Sequence, residues 1–369
     1  MIKTLRRIVD TFRGGGSASV SIPPLDGALE PNTLLEDAPL ALTRVAPDNL
    51  IEVQGKILFS ENLTVCTLDG LDGSLHSRVA HQFSTNVVAL AGWPSGGLAV
   101  ALADGTVHIK GGQFDGVHLD KLDGGPFKNI TAMAYENEES LLLCQGSAIY
   151  GADSWQRDLL QWGATGTVWR VDLAKQKSHC VAKGLAYPYG VTPTADGSMV
   201  VSEAWRHRLL RISDGGTQAV VLDHLPGYPA RLSGAPGGGW WLSVFAPRNQ
   251  LVEFVLREKE FREKMMVEVK PEHWIVPTLA PASSFMEPLQ GGELKQLGKL
   301  KPWAPTRSYG LAVQLDKDFQ PVRSIHSRAN GRRHGVTSCI ASGSMLWVTS
   351  RGGDVVVGVD LSSSRENQL

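Results

Sequence analysis

Short apolar runs set between turn-forming residues recur along the chain. GKILFS, GGLAVAL, ESLLLCQ, GSMVVSE, GGWWLSV and GSMLWVT begin at Gly55, Gly96, Glu139, Gly197, Gly238 and Gly343. Each is rich in Val, Leu, Ile or Trp and too short for a typical globular helix, so each reads as a buried strand. A second strand-like run follows each of them: VCTLD, GTVHIK, GTVWRVDL, HRLLRI, NQLVEFV and VVVGVDL. Three of the spacings between the first runs are about 41–43 residues, the length of one four-stranded propeller blade. The two longer spacings hold extra chain, residues 147–165 and 246–306. The pattern predicts an all-β, six-bladed β-propeller over residues 38–362, preceded by a segment 1–37 and followed by a polar tail 363–369. After Val356–Leu361 no apolar run remains, so blade six lacks its outer strand. Leu40–Val45 is expected to supply it, closing the ring and removing an exposed edge.

The insertions differ from the blades. Leu256–Val269, LREKEFREKMMVEV, has strong helix formers with charges of both signs at helical spacing, and reads as a solvated helix. Pro271, Pro277, Pro281, Pro288, Pro302 and Pro305 then interrupt the chain. Residues 246–306 are expected to leave blade five, cover one end of the central channel as a lid, and return at Tyr309 for the outer strands. Near the N-terminus, Ile2, Leu5, Ile8, Val9 and Phe12 fall on one face of a short helix. That helix packs on its own protein or touches a membrane surface or partner. Gly14, Gly15, Gly16 and Ser17 form a flexible joint after it.

Composition narrows the function. The 369 residues include 40 Gly and 20 Pro, well above the usual share, which agrees with many short elements and turns. Lys plus Arg is 36 and Asp plus Glu is 37, a formal charge of -1, so no global field holds nucleic acid. There is no apolar run long enough to span a membrane. Arg6, Arg7 and Asp10 interrupt what would be a signal-peptide core. Cys66, Cys144, Cys180 and Cys339 are scattered, with no Cys-x-x-Cys pair. Four free thiols and no signal peptide place the chain in a reducing cytoplasm as an expectation. Nucleophile elbow, zinc-protease helix and phosphate-binding loop motifs are absent.

Several segments carry a family resemblance. GLAYPYGVTPTADGSMVVSEAWRHRLLRI, LPGYPARLSGAPGGGWWLSV, YGLAVQLDKDFQPVRSIHS and HGVTSCIASGSMLWVTSRGGDVVVGVDL occur in that order between Gly184 and Leu361. Together with DSWQRDLLQWGATGTVWRVDL from Asp153, they resemble the strictosidine synthase-like proteins. The wider superfamily includes gluconolactonases and paraoxonase-like esterases. In those relatives the resemblance implies a calcium ion in the channel, held by Glu and several Asn or Asp residues. Carried over residue by residue, the acidic ligand of blade one becomes Asp48, and an Asn of blade three maps to Asn129. On blade four the Asn has become Tyr189, and on blade five an acidic pair has become Ala230-Arg231. Calcium takes six to eight oxygens, so no metal or other cofactor is expected, and Arg231 replaces the metal's charge. Thr337 stands where the synthase has its catalytic Glu, so strictosidine formation itself is not expected.

A small-molecule site at the channel is therefore expected. Asp48, Tyr189, Arg231 and His334 each precede or begin an inner strand of a different blade, and are the candidate catalytic residues. Tyr189 and Arg231 would polarise a carbonyl while His334 or Asp48 takes a proton. His334 is alternatively a hydrogen-bonded structural histidine. Asn129, Trp155 and Thr337 are the candidate substrate-binding residues; Trp155, Arg157 and Asp158 either rim the pocket or anchor their loop. Glu203 is expected to pair with the arginines that follow it. Three functions fit: a metal-independent hydrolase of an ester or lactone, a non-catalytic ligand-binding or scaffolding propeller, or a carbon–nitrogen or carbon–carbon bond-forming enzyme.

Overall fold

The computed structural model describes residues 22–70, 74–123, 125–281 and 306–362, and the backbone of the short pair Lys295–Gln296 and Lys299–Leu300. The amphipathic N-terminal segment, the polar tail, and Pro288, Pro302 and Pro305 lie outside the described residues. Six four-stranded antiparallel sheets form the blades of a propeller. The inner strands are Asp48–Val53, Val87–Gly92, Ile130–Asn137, Pro188–Pro193, Gly227–Gly234 and Val336–Ser342, for blades one to six in order. The six apolar runs singled out above are all second strands. They read as continuous hydrophobic stretches because both faces are covered by neighbouring blades: Leu98–Leu102 and Met199–Glu203 are buried at every position. Outer strands such as His76–Gln82 are largely exposed and polar.

The core lies between blades. Phe59, Cys66 and Leu68 of blade one pack with Ile340, Trp347 and Val356 of blade six. Leu142, Cys144 and Val168 of blade three pack with Val191, Val201 and Leu210 of blade four. Burying side chains of this size stabilises the fold by about 1.5–3 kcal/mol each, so ring closure is a hydrophobic matter first. Leu40–Thr43 completes blade six, with Leu40 opposite Gly358 and Thr43 opposite Val355. All four cysteines are free.

The two insertions both leave between the second and third strands of their blades, three and five. In blade five the chain departs after Trp240–Pro247 and returns in Leu311–Leu315 and Pro321–His326. One expectation is corrected here. NQLVEFV is not a strand but the helix Gln250–Arg257, capped by Asn249, whose Oδ1 accepts from the Leu251 and Val252 amides. Val252, Val255 and Leu256 are buried while Leu251 and Phe254 are exposed, a helical and not an alternating pattern. A second helix, Lys259–Glu268, follows. The first insertion folds into a turn at Ala152–Ser154 and the helix Trp155–Leu160. The two insertions share one core: Leu159 and Leu160 with Val252, Leu256, Met265 and Trp274. Among the described residues no helix is long and apolar enough to cross a membrane.

Candidate functional site

In each blade the loop between strands two and three lies at the same end as the start of the inner strand. Both insertions are such loops, so both gather at one mouth of the channel. There they enclose a cavity of about 560 Å³, within the ~300–1,000 Å³ range of small-molecule sites. The first insertion lines it with Ala152–Trp155 and the second with Leu279. The backbone of Leu279 lies so close that a Cβ at Gly352 would fall 2.0 Å from its carbonyl oxygen. The second insertion is thus seated against the turn after strand two of blade six.

The floor of the cavity is built around Arg231. Its Nη1 donates to Asp48 Oδ1 at 2.7 Å and to the Thr337 carbonyl at 3.4 Å. Its Nη2 donates to the carbonyls of Thr131 at 2.8 Å and Val88 at 3.1 Å. The guanidinium also lies 5.1 Å from the centre of the Tyr189 ring. Asp48, Val88, Thr131, Tyr189 and Thr337 belong to blades one, two, three, four and six, and Arg231 to blade five. All six inner strands therefore meet on one side chain. The approach is close: a Cβ at Gly190 would sit 2.5 Å from the Ala230 carbonyl oxygen. Asp48 Oδ1 is further held by Thr337 Oγ1 at 2.7 Å and its neighbour's amide, Asn49 N–H, at 2.8 Å. Charge-assisted bonds of this kind are worth about 1.5–3 kcal/mol each.

That arrangement excludes a calcium ion at this place. A carboxylate oxygen and three backbone carbonyls face a single centre, which is the donor set a hard cation prefers. Those oxygens are already engaged by the guanidinium, whose charge repels a second cation. Among the described residues no group of three or more His, Cys, Asp or Glu could hold a metal.

The other sequence-predicted residues separate into two sets. Asn129, Tyr189 and Trp155 line the cavity with Asp48 and Arg231. Asn129 sits in the left-handed region at φ 43, with its amide buried beside the Tyr187 phenol and making no hydrogen bond of good geometry. Burial and the nearby Asp48 carboxylate push the Tyr189 phenol up, so it stays protonated. Thr337 is fully buried and positions Asp48 without lining the cavity.

His334 does not reach the cavity. It is fully buried behind the floor, with Nε2 donating to the Arg328 carbonyl at 2.7 Å and Nδ1 accepting from Ser308 Oγ at 2.8 Å. Burial lowers its pKa, and the two partners assign the neutral Nε2–H form. With both nitrogens engaged it has no lone pair to offer a substrate. Its backbone carbonyl instead accepts from Ser350 Oγ and Gly352 N–H, anchoring the neighbouring turn. Asp158 also turns inward: it is buried and accepts from Trp205 Nε1 at 2.7 Å, so it forms no surface pair with Arg157. Glu203 is buried too, paired with Arg206 and Arg208 as expected.

Of the cavity residues that the sequence did not point to, Arg351 matters most. Arg351 opens the turn Arg351–Gly353 held by His334, and 41% of its side chain is exposed. Its Nη1 lies 3.5 Å from Asp48 Oδ2, an oxygen that takes no hydrogen bond among the described residues. The signal was present in the repeat: SRGGD of blade six aligns with EAWRH of blade four, and both turns end on a left-handed residue, Asp354 and His207. Aligning those turns, and not only the strands, brings Arg351 to the mouth.

The rest of the wall is aromatic. Trp155 stacks on Trp205 at 6.0 Å and meets Phe245 edge-on at 5.6 Å; Tyr189 meets Phe245 at 5.6 Å. Trp155 and Tyr189 keep part of their rings exposed to the cavity.

Comparison with known proteins agrees with this architecture. No protein-family model matches the chain. It is similar to the protein strictosidine synthase-like 10 of Arabidopsis thaliana, 23% identical over 153 residues, 40% of this chain and 41% of that protein. The match thus spans about two fifths of that relative. Among solved structures, a proposed gluconolactonase superposes with a TM-score of 0.52 at 11% identity, covering 89% of this chain and 91% of the other. The calcium-binding protein regucalcin of Agrobacterium tumefaciens gives 0.50 at 12% identity, covering 86% and 93%. These likenesses support the propeller fold and fit the resemblance read from the sequence.

Proposed function

We propose that this propeller is a metal-independent enzyme acting on a small ester or lactone bound at the channel mouth. The observation that carries the reading is the set of polar groups converging there. Asp48 Oδ2 takes no hydrogen bond, Arg351 is partly exposed between it and the Tyr189 phenol, and the Asn129 amide has only the Tyr187 phenol beside it. Arg351 and the Asn129 N–H groups would stabilise the oxyanion formed when a carbonyl is attacked. Asp48 Oδ2 would orient the attacking water, while Arg231 keeps that carboxylate fixed. The similarity to a strictosidine synthase-like protein and to a proposed gluconolactonase supports small-molecule chemistry at this place.

The engagement of His334 and Arg231 favours a second reading, a ligand-binding propeller without turnover, because neither is free to act on a substrate. A panel of aryl esters and lactones, assayed in chelator, separates the two. Turnover that survives chelation and falls by about 10²–10³ in Asn129→Ala supports the enzyme. Binding of panel members with no turnover leaves the second reading.

A further inference from the structure

We infer that the cavity takes a flat aromatic or conjugated small molecule carrying a carboxylate, with the carboxylate on Arg351. The inference rests on the reading above only for the location of the site; it does not require turnover. Among the described residues four formally charged side chains line the cavity: Asp48, Asp153, Arg231 and Arg351. Arg231 and Asp48 neutralise each other at 2.7 Å and are both nearly buried. Asp153 lies on the exposed turn of the first insertion, at the rim. Arg351 is left as the excess charge at the mouth, beside the Tyr189 phenol, 3.5 Å from an already paired carboxylate and with 41% of its side chain exposed.

Arg351 is also held for the task. Its backbone N–H donates to the Gly335 carbonyl at 2.9 Å, and the turn is pinned by Ser350 and Gly352 to the His334 carbonyl. Such a fork loses little freedom on binding a planar anion, which suits a bidentate carboxylate contact. Beside it stand the partly exposed faces of Trp155 and Tyr189, backed by Trp205 and Phe245. Backed rings offer flat apolar area at low entropic cost, and they favour a flat ligand over a flexible one. The Asn129 amide, already buried beside the Tyr187 phenol and making no hydrogen bond of good geometry, keeps capacity for a hydroxyl or carbonyl on the ring.

The test uses the full chain and three naphthalene probes of one shape: 2-naphthoate, 2-naphthamide and 2-naphthylmethylamine. Binding is read by isothermal titration calorimetry and by quenching of tryptophan emission. Naphthoate should bind about ten- to a hundredfold tighter than the amide, the range for one charge-assisted contact. Arg351→Ala should remove that preference, Arg351→Lys should restore part of it, and Asp153→Asn should leave it or increase it. Equal binding of acid and amide, tighter binding of the amine, or an anion preference that persists in Arg351→Ala would each overturn the inference. Running the ester panel on the same preparations keeps the two claims apart. Turnover of neutral esters without anion preference sinks the ligand class alone, whereas anion binding without turnover sinks the hydrolase alone.

Discussion

Arg231 and Arg351 lie on either side of one carboxylate and do different work. Arg231 is the centre of the floor: 12% of its side chain is exposed, and its four terminal contacts reach oxygens in blades one, two, three and six. Arg351 stands on a turn at the mouth, more than three times as exposed, with a longer contact to Asp48 and one to the Tyr189 phenol. The residue type does not separate them; the number of inner strands converging on each does. A guanidinium at the axis closes the ring as a cation would, while one a few residues off the axis keeps donors for a ligand. A reading that assigns Arg231 to substrate must therefore yield to one that assigns it to the ring.

The largest effect should come from breaking the floor. Arg231→Ala leaves Asp48 buried without its main counter-charge and three carbonyls without donors, and is expected to destabilise the protein by about 3–5 kcal/mol. Arg231→Lys should recover only part, because an ammonium cannot reach both sides of the axis. Denaturant unfolding measures both. A small loss of stability in Arg231→Ala, with a large loss of ligand affinity, would reverse the assignment of the two arginines.

The next effect is on acid stability, and it lies in the shell behind the floor. His326, held by Tyr309 and Ser324, is pushed down to about 3 by burial, and burial also lowers His334. A histidine whose folded pKa lies below its unfolded value binds fewer protons in the folded state. Stability should therefore fall as pH drops below about 6.5, by up to about 1.4 kcal/mol per pH unit for each such group. Glu253, on the helix Gln250–Arg257 of the second insertion, acts in a lower window. It is held at about 2 against its own burial by His207 and Arg248, so its contribution is present above ~4.3 and lost as pH falls towards 2. Unfolding free energies of the parent and His326→Gln between pH 7 and 4 check the upper window. An unchanged pH slope in His326→Gln would remove His326 from this account.

A smaller effect is expected at the mouth. Arg351→Ala should change stability by no more than ~0.5 kcal/mol, as for an ordinary surface substitution, because Asp48 keeps Arg231. A melting temperature lowered as far as in Arg231→Ala would show that the mouth and the floor are one structural unit. The smallest effect is that of calcium: chelator and added calcium should leave the melting temperature unmoved, since the oxygens at the axis are taken. A calcium-specific rise would place an ion where the guanidinium stands.

The periodicity of apolar runs determined the blade count, the position of both insertions and the closing strand Leu40–Thr43, since strands covered on both faces must be apolar throughout. The helix at Gln250–Arg257 escaped it because an amphipathic helix and a short strand can share one apolar run. The sequence by itself also brought Asp48, Asn129, Tyr189 and Arg231 to the channel, because all four belong to or adjoin inner strands, although Arg231 lies in the middle of Gly227–Gly234 and not at its start. Only the tertiary structure decided what each does there. His334 precedes the inner strand Val336–Ser342, and Ser308 and Arg328 from neighbouring loops claim both its nitrogens. Arg231 is engaged by carbonyls of Val88 and Thr131, 143 and 100 positions away along the chain, which no local pattern encodes. Strand periodicity is a local property of the chain, set by which face is buried. Hydrogen-bond saturation at the axis is a property of six strands meeting, and it exists only once the ring is closed.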